Sequence, residues 1–348
     1  MQTATNKTIT FGIPCYNSAE YMDHCISSIV EGSGHAEDVH IVVVDDGSTK
    51  DNTLAKAQAW HDRFPSIVDV VHQENGGHGR AVMAAIEHAK GVYFKVVDSD
   101  DWVDADALKE MLERLREFVA FQVQVDLMVT NYVFEHAEDG KQRTIDYGFA
   151  LPKGKVIGWR QIGHFNVAQY MMMHALCYRT EVLRTCGLEL PAHTFYVDNI
   201  YAYVPLPHCK TLYYLDVDLY RYFIGRDDQS VNMDVQVARV DQQLAVTRIM
   251  TRAYHLYDDI SAKELRRYMI GHLTLMLSVC SVVSKMSTAP DARKNLDDLW
   301  HEFKRYDMRM YNRSRHGLMG TFMNFRGPIG ERITIAIYHA SQKLFKFN

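Results

Sequence analysis

Short apolar runs alternate with amphipathic segments along the first 130 residues of the chain. Strands are predicted at 8–13, 39–44, 67–71, 93–97 and 125–132, and helices between them at 21–30, 53–64, 79–89 and 104–118. The run at 39–44 is apolar throughout, as expected for a strand that is buried on both faces. Strands that alternate with helices indicate βαβ units, and hence a mostly parallel sheet flanked by helices.

The pattern changes in the second half of the chain. It weakens at 135–157, where an excursion or a hairpin is predicted, and then gives short helices at 181–186 and 198–204 and a strand at 210–215. Beyond that point only helices are predicted, at 235–256, 262–286 and 292–306. The longest apolar stretch, 269–283, contains His272 and is too short to span a bilayer comfortably, so we interpret it as a buried core helix. We therefore expect an α/β domain at 1–232 and a helical region at 233–348.

Composition narrows the class of protein. The chain has 348 residues, 47% of them hydrophobic, which is enough for a sizeable core, and its net charge of −5 gives no reason to expect a nucleic-acid partner. Its six cysteines show neither a Cys-x-x-Cys pair nor zinc-site spacing, which is typical of reduced thiols in a cytosolic protein. No signal peptide is recognised, so a cytoplasmic location is expected.

Three carboxylates follow the predicted strand at 93–97 within four residues: Asp98, Asp100 and Asp101. Strand ends lie at a sheet edge, and in open α/β sheets ligands bind at the carboxyl edge. Carboxylates this close repel one another unless a cation holds them, and hard oxygen ligands suit Mg²⁺ or Mn²⁺ together with substrate phosphates. The alternative is a polar turn that caps the next helix.

Two other strand ends carry residues suited to a nucleotide. Tyr16, in the run Pro14-Cys15-Tyr16-Asn17 after the first strand, could stack on a planar base, although a simple turn would explain the run equally well. The second strand ends in Asp45-Asp46-Gly47-Ser48, where an Asp could accept hydrogen bonds from a base or a ribose.

A glycine-rich run, Asn75-Gly76-Gly77-His78-Gly79-Arg80, opens the helix at 79–89. Glycines at a helix start let backbone N–H groups approach a phosphate, and Arg80 could add charge. The run follows the third strand and lacks the spacing of a dinucleotide fingerprint, so we reject that interpretation. Because strand ends converge on one edge, the residues at these positions together predict a nucleotide-diphosphate site.

The stretches that begin at Ile13, Val43, Asn75 and Val97 resemble, in order and spacing, those of a family 2 glycosyltransferase of GT-A fold. The resemblance covers residues 8–232 and implies a nucleotide-diphospho-sugar transferase fold, with a donor half at 8–132, an acceptor half at 133–232 and a helical C-terminal extension. It also implies that Asp98-Ser99-Asp100 is the Asp-x-Asp motif, which holds Mn²⁺ or Mg²⁺ on the diphosphate. The implied donor-binding residues are Pro14, Tyr16, Asn17, Asp45, Asp46, Gly77, Arg80, Asp98, Ser99 and Arg226.

Within that resemblance some residues have particular roles. Asp100 is the foremost metal ligand beside Asp98, Asp46 contacts the base and Tyr16 stacks on it. Asp198 matches the catalytic base, although Val197 replaces the Glu that usually precedes it, and it could also be a helix N-cap.

Two further assignments have plain structural alternatives. Arg226, with Gln229 and Ser230, would cover the diphosphate or the acceptor; the alternative is an exposed arginine on a loop. His208 could join the metal ligands, as a histidine does in some GT-A enzymes, or it could be an ordinary packed or surface histidine.

The expected activity is an inverting, metal-dependent transfer of one sugar from a nucleotide-diphosphate sugar, and a UDP-sugar is the first candidate for the donor. The acceptor would be a hydroxyl of a saccharide or lipid-linked molecule in cell-surface polysaccharide or glycolipid synthesis. The processive synthases of the family carry a Gln-x-x-Arg-Trp motif, which this chain lacks. A phosphatase of the haloacid-dehalogenase type and a sugar-phosphate nucleotidyltransferase are rejected, because their motifs belong after the first strand. A non-catalytic nucleotide-sugar-binding or scaffold protein remains the alternative.

The end of the chain is basic, with nine Lys or Arg against three Asp or Glu at 301–348. Its segment 325–348 has the spacing of an amphipathic helix, which could lie on anionic lipid at the inner face of the cell membrane. It could equally pack on the protein itself or on the partner in a homodimer.

Overall fold

The computed structural model describes residues 7–136, 140–166, 169–225, 233–325, 327 and 329–336. The chain divides into two compact units. The first comprises Met1–Ile162 and Met171–Gly225, and the second comprises Gly163–Tyr170 and Arg226–Asn348. The first unit is α/β and the second, over its described residues, is helical.

The first unit is built around one mixed sheet. Its strands are β1 (Lys7–Cys15), β2 (Val39–Asp45), β3 (Val68–His72), β4 (Gly91–Val96), β5 (Trp102–Val103), β6 (Leu127–His136), β7 (Gln142–Ile145), β8 (Val156–Ile157), β9 (Leu176–Arg179) and β10 (Leu212–Ile224). Its helices are α1 (Met22–Gly32), α2 (Thr53–Arg63), α3 (His78–His88), α4 (Ala105–Ala120), α5 (Thr180–Thr185) and α6 (Asp198–Tyr201).

The strand order is β3-β2-β1-β4-β9-β6-β10-β5, with β7 beside β6 and β8 beside β10. Strands β1 to β4 are mutually parallel where they pair, and β9 is antiparallel to both β4 and β6. Because β9 is antiparallel to both β4 and β6, β6 runs in the same direction as β1 to β4, and so does β10, which pairs in parallel with β6. The carboxyl ends of these six strands therefore lie at one edge of the sheet.

Burial explains why the central strands take this form. Every residue of β2 is buried, and so is every residue of β1 after Lys7, as expected for strands covered by helices on both faces. The amphipathic helix α4 begins after Asp104, whose carboxylate accepts the N–H of Ala107 as an N-cap. The predicted mostly parallel sheet with flanking helices is confirmed.

The acceptor half differs most from its predicted pattern. The expected excursion after β6 is a hairpin of β6 and β7, and β9 was not predicted at all. The strand predicted at 210–215 continues to Ile224, passing through irregular pairing between Tyr214 and Tyr220. That extension brings Tyr220 and Tyr222 to the carboxyl edge.

The described helices of the second unit are α7 (Met233–Ala238), α8 (Val240–Ala253), α9 (Leu256–Asp259), α10 (Lys263–Met286), α11 (Ala292–Tyr306), α12 (Met308–His316) and α13 (Leu318–Met323), and residues 329–336 are also helical. The single helix predicted at 235–256 is interrupted at Arg239. Helix α10 is long and apolar enough to cross a bilayer, but 61% of its most apolar stretch is buried inside the protein. His272, in the same helix, is buried and stacks on Tyr170 at 4.5 Å. Much of the predicted amphipathic tail, including 337–348, lies outside the described residues.

Candidate active site

Asp98 lies at the centre of a polar cluster that follows β4. Its Oδ1 lies 2.8 Å from Nε2 of His78, and its Oδ2 lies 3.8 Å from Nε2 of His174. Its backbone N–H donates to the hydroxyl of Tyr220 at 3.1 Å. Burial opposes the negative charge, but His78, through its charge and its hydrogen bond, holds the pKa of Asp98 below its ordinary value.

The pKa of Asp101 is shifted in the opposite direction from that of Asp98. Asp101 is fully buried, and it accepts hydrogen bonds from the Tyr220 hydroxyl at 2.5 Å and from the backbone N–H of Phe223 at 2.8 Å. Burial raises its pKa well above the ordinary range, and the neighbouring charges of Asp100 and Asp98 raise it further. Two carboxylates of one turn thus favour different protonation states.

His174 completes this cluster from a distant part of the sequence. Its buried ring stacks on Tyr222 at 4.5 Å and meets Tyr220 edge-on at 4.7 Å. Burial lowers its pKa to about 4, so the imidazole is neutral at physiological pH. Among the residues that the structure describes, Nδ1 of this ring has no hydrogen-bond partner.

One ligand atom each from Asp98, Asp101 and His174 lies within 4.8 Å of the others. A neutral imidazole and carboxylate oxygens are ligands that a divalent cation accepts, so the donor set fits a metal ion. Asp100 lies close enough to raise the pKa of Asp101. The geometry therefore groups Asp98 with Asp101 and His174, beside the Asp100 that the sequence favours.

Asp198 is the first residue of α6, and its surroundings change its pKa. Burial raises its pKa to about 6, with His78 opposing this shift and Asp98 adding to it. The side-chain amide of Asn199 lies 3.4 Å from its Oδ1. A side chain at Gly79, in the first turn of α3, would begin 3.4 Å from Cγ2 of Val197, so Asp198 lies near the start of α3, where His78 contacts Asp98.

Asp46 has a structural task that the sequence did not reveal. Its Oδ1 accepts the side-chain amide of Gln73 at 2.6 Å and the N–H of Gly76 at 2.9 Å, while its Oδ2 accepts the N–H of Gly77 at 2.7 Å. The N–H of Gly77 is therefore not available to a phosphate, contrary to the expectation for this glycine run. Asp45 is also buried, and it pairs with Nδ1 of His72 at 2.6 Å.

The remaining residues of the first strand end form a connected loop. Pro14 lies in β1 beside Val44, and the side chain of Tyr16 is 49% exposed at the carboxyl edge. Asn17 adopts a positive φ of 50°, and its Oδ1 accepts the N–H groups of Thr49 and Lys50. The hydroxyls of Ser99 and Ser18 lie 2.9 Å apart, which connects this loop to the carboxylate turn. Arg80 is exposed on the first turn of α3.

One predicted residue, His208, is not part of this cluster. His208 precedes β10, whose first residue, Leu212, pairs with the first residue of β6, so His208 lies at the opposite edge of the sheet from Asp98. His174, and not His208, lies beside Asp98 and Asp101. Arg226 lies outside the described residues.

Sequence reasoning missed four residues of the cluster: His78, His174, Tyr220 and Tyr222. His78 had a signal, since it lies within the glycine run that the sequence singled out. His174 is one of the histidines of the acceptor half, and Tyr220 and Tyr222 begin the segment that leads to Arg226, but their position beside Asp98 depends on β9 and on the extended β10.

Comparisons with known proteins concern the family and the fold. Residues 10–173 match the family described as Glycosyl transferase family 2. The putative glycosyltransferase EpsH of Bacillus subtilis (strain 168) is 25% identical over 287 residues, which are 77% of this chain and 74% of EpsH. The chondroitin synthase of Pasteurella multocida (strain Pm70) is 25% identical over 275 residues, 76% of this chain but 26% of that protein, so this chain spans about a quarter of it.

Solved structures share the fold. S. aureus TarS 1–349 in complex with UDP-GlcNAc superposes with a TM-score of 0.63 at 14% identity, covering 96% of this chain and 92% of that one. The mannosyltransferase PcManGT from Pyrobaculum calidifontis, in complex with GDP-Man and Mn²⁺, has a TM-score of 0.51 at 15% identity, covering 94% and 86%. At these identities the likeness concerns the fold alone. The family match over residues 10–173, the relatives and the shared fold agree that this part of the chain is of the family 2 glycosyltransferase type with a GT-A fold, and that the chain is a glycosyltransferase.

Proposed function

We propose that this glycosyltransferase moves a single sugar, with inversion, from a nucleotide-diphosphate sugar to a hydroxyl of a saccharide or lipid-linked acceptor. The observation that carries the proposal is the meeting of Asp98, His78 and Asp198 at the carboxyl edge of one sheet. That arrangement pairs a site for a metal–diphosphate with a nearby group able to accept a proton.

Asp198 is the proposed general base. The acceptor oxygen forms its bond to the anomeric carbon as the bond from that carbon to the diphosphate oxygen breaks, and the hydroxyl proton passes to the Asp198 carboxylate. A pKa of about 6 suits this role, because the group is ionised at neutral pH and yet is a stronger base than an ordinary carboxylate. Displacement from the face opposite the leaving group inverts the anomeric centre.

Asp98 and Asp100 are the proposed ligands of Mn²⁺ or Mg²⁺, with Asp101 and His174 near enough to join them. When bound, such an ion neutralises the charge that develops on the leaving diphosphate. The neutral, buried ring of His174 is compatible with a ligand, since a protonated imidazole could not bind a cation.

The donor is proposed to be a UDP-sugar. TarS has been solved with UDP-GlcNAc, and PcManGT with GDP-Man and Mn²⁺, which supports a nucleotide-diphosphate sugar. Tyr16 is sufficiently exposed to stack on the base, and Pro14, Asn17, Asp45, Asp46, Ser99 and Arg80 would shape or border the same pocket. Arg226 remains proposed as a cover for the diphosphate.

The biological setting is proposed to be the synthesis of a cell-surface polysaccharide or glycolipid in the cytoplasm. The chondroitin synthase relative supports a polysaccharide product. Membrane contact is proposed through the basic end of the second unit, where the side chains of Leu318 and Ile329 are 79% and 76% exposed. Co-sedimentation with vesicles of anionic lipid would detect this contact, and unchanged binding after deletion of 325–348 would contradict it. Analytical ultracentrifugation would test the alternative of a homodimer.

A donor screen tests the proposed activity most directly. UDP-, GDP- and dTDP-sugars would be incubated with candidate acceptors, with Mn²⁺, with Mg²⁺ or with a chelator, and nucleotide release would be measured. We expect release that needs both metal and acceptor, with UDP-sugars preferred, and NMR of the product should show inversion. Release that is unaffected by the chelator would contradict the metal role, and a retained anomeric configuration would contradict the base role.

A further inference from the structure

The glycine run 76–79 holds two parts of the site together. Gly77 has a φ of 81°, and a side chain there would begin 2.9 Å from the backbone nitrogen of His193. A side chain at Gly79 would begin 2.9 Å from Cβ of Leu190 and 3.1 Å from the carbonyl oxygen of Pro191. The N–H of His193 donates to the carbonyl of Gly76 at 2.7 Å. The glycines are thus required for the segment 190–197, which leads to Asp198, to pack against the start of α3.

This packing gives His78, the first residue of α3, two acidic neighbours. Its Nε2 lies 2.8 Å from Oδ1 of Asp98, and the charge of Asp198 acts on its ring. Among the described residues no hydrogen bond is made by its Nδ1. The Asp98 carboxylate has only two oxygens, so a bond that engages Oδ1 also fixes the direction of Oδ2.

The fixed direction of Oδ2 is towards the rest of the cluster. Oδ2 of Asp98 lies 3.8 Å from Nε2 of His174 and 3.5 Å from the hydroxyl of Tyr220, which in turn binds Asp101. Outer partners that orient a ligating carboxylate commonly change metal affinity or activity by about 10–100-fold.

We propose that His78 is a positioning residue that holds Asp98 through Oδ1 so that Oδ2 faces Asp101 and His174 and is available to the metal–diphosphate. This inference rests on the proposed metal-dependent function. In this proposal the glycine run 76–79 lets the segment 190–197 pack closely against the start of α3, and it does not bind a phosphate.

Three substitutions separate this role from others. The side-chain amide nitrogen of Gln lies at about the reach of Nε2, whereas that of Asn lies nearer to Nδ1, so His78→Gln can restore the bond to Asp98 and His78→Asn cannot. His78→Ala removes both nitrogens. His88→Gln is a matched control, because His88 is in the last turn of the same helix, where its Nδ1 contacts only the carbonyl of Ala84.

The affinity of each variant for Mn²⁺–UDP would be measured by calorimetry, together with the thermal midpoint of the unliganded protein. We expect affinity to fall about 10–100-fold in His78→Asn and His78→Ala, and to stay near wild type in His78→Gln and His88→Gln. The double variant His78→Asn/Asp98→Asn should bind no worse than Asp98→Asn alone, because both changes act through one carboxylate.

Several outcomes would overturn the inference. The first is wild-type affinity for Mn²⁺–UDP in His78→Asn. The second is an affinity loss that is equal in His78→Gln and His78→Asn while their thermal midpoints are unchanged, or an affinity that is retained in His78→Asn but lost in His78→Gln. The third is a loss of affinity in the double variant that equals the sum of the two single losses. If the wild-type protein itself shows no Mn²⁺-dependent UDP binding, the metal-dependent function fails first and this inference fails with it.

Discussion

Two acidic pairs lie on the same edge of the sheet, and the chain uses them in different ways. Asp45 is the last residue of the buried strand β2 and Asp46 follows it, whereas Asp98 and Asp101 both follow the buried strand β4. In the sequence both read as an apolar strand that ends in carboxylates and a small residue. By pattern alone both are equally good candidates for a ligand site.

Hydrogen-bond donors distinguish the two pairs. Asp46 receives three donors from the loop 73–77, and Asp45 is paired with His72, so these anions are satisfied within the protein. Asp98 and Asp101 instead share the hydroxyl of Tyr220, and the pKa of one is lowered while that of the other is raised. The second pair thus shares one donor besides the separate bonds of Asp98 to His78 and of Asp101 to Phe223, whereas the donors of the first pair are all separate.

The largest expected effect is at Asp198, beside the second pair. Asp198→Asn removes the proposed base, and kcat should fall by about 10²–10⁴. The affinity for Mn²⁺–UDP, measured by calorimetry, should stay near wild type because Asp198 does not face the nucleotide in this proposal. Asp106→Asn, an exposed acidic residue in the first turn of α4, is the control. Undiminished transfer by Asp198→Asn would remove this residue from the mechanism.

The second prediction concerns stability and separates the two pairs directly. Asp46→Asn turns an amide N–H₂ towards a part-buried N–H donor of the 73–77 loop, and it should cost about 2 kcal/mol of unfolding free energy in urea titration. Asp101→Asn should cost less than about 1 kcal/mol, because burial and the charges of Asp100 and Asp98 already disfavour the negative charge of that carboxyl, and a neutral amide can replace its bonds to Tyr220 and Phe223. Equal losses in the two variants would abolish the distinction between the pairs.

The third prediction uses the pKa of about 6 at Asp198. Below that pH the base is protonated, so kcat should fall about tenfold per pH unit, whereas above pH 7 it should level off. The raised pKa of Asp198 also makes the unfolding free energy depend on pH, but in the opposite direction from kcat. Because the folded state binds the proton more tightly than the unfolded state, the contribution of Asp198 to the unfolding free energy rises as pH falls from about 6 to 4.

A pH–rate profile and urea titrations from pH 4.5 to 8 would measure both effects of the third prediction. Asp198→Asn should lose the acidic limb of the rate profile together with its share of the stability change. An acidic limb of unchanged midpoint in that variant would assign the limb to another group, such as His78 or Asp98.

The sequence predicted the parts of this site that depend on local pattern. Apolar runs located β1 to β4 and the edge that carries Asp98, and a resemblance located Asp198. It could not place His174 or Tyr220, since each lies more than 70 residues from Asp98 along the chain and reaches it only through β9 and the irregular pairing of β10. Nor could it distinguish Asp46 from Asp98, because the donors that satisfy Asp46 are backbone N–H groups of a loop about 30 residues away.

The smallest expected effect tests whether the first pair is purely architectural. His72→Gln removes one partner of the buried Asp45, but the N–H of Ser48 still donates to its Oδ1 at 3.3 Å and the His72 side chain is 54% exposed, so water can reach the vacated place and the loss should be about 1 kcal/mol. His35→Gln, which breaks the exposed pair with Glu31, is the matched control. Affinity for UDP should be unchanged in both variants. A tenfold loss of UDP binding in His72→Gln alone would show that the position of Asp45 matters to the nucleotide, and the first pair would then share the function of the second.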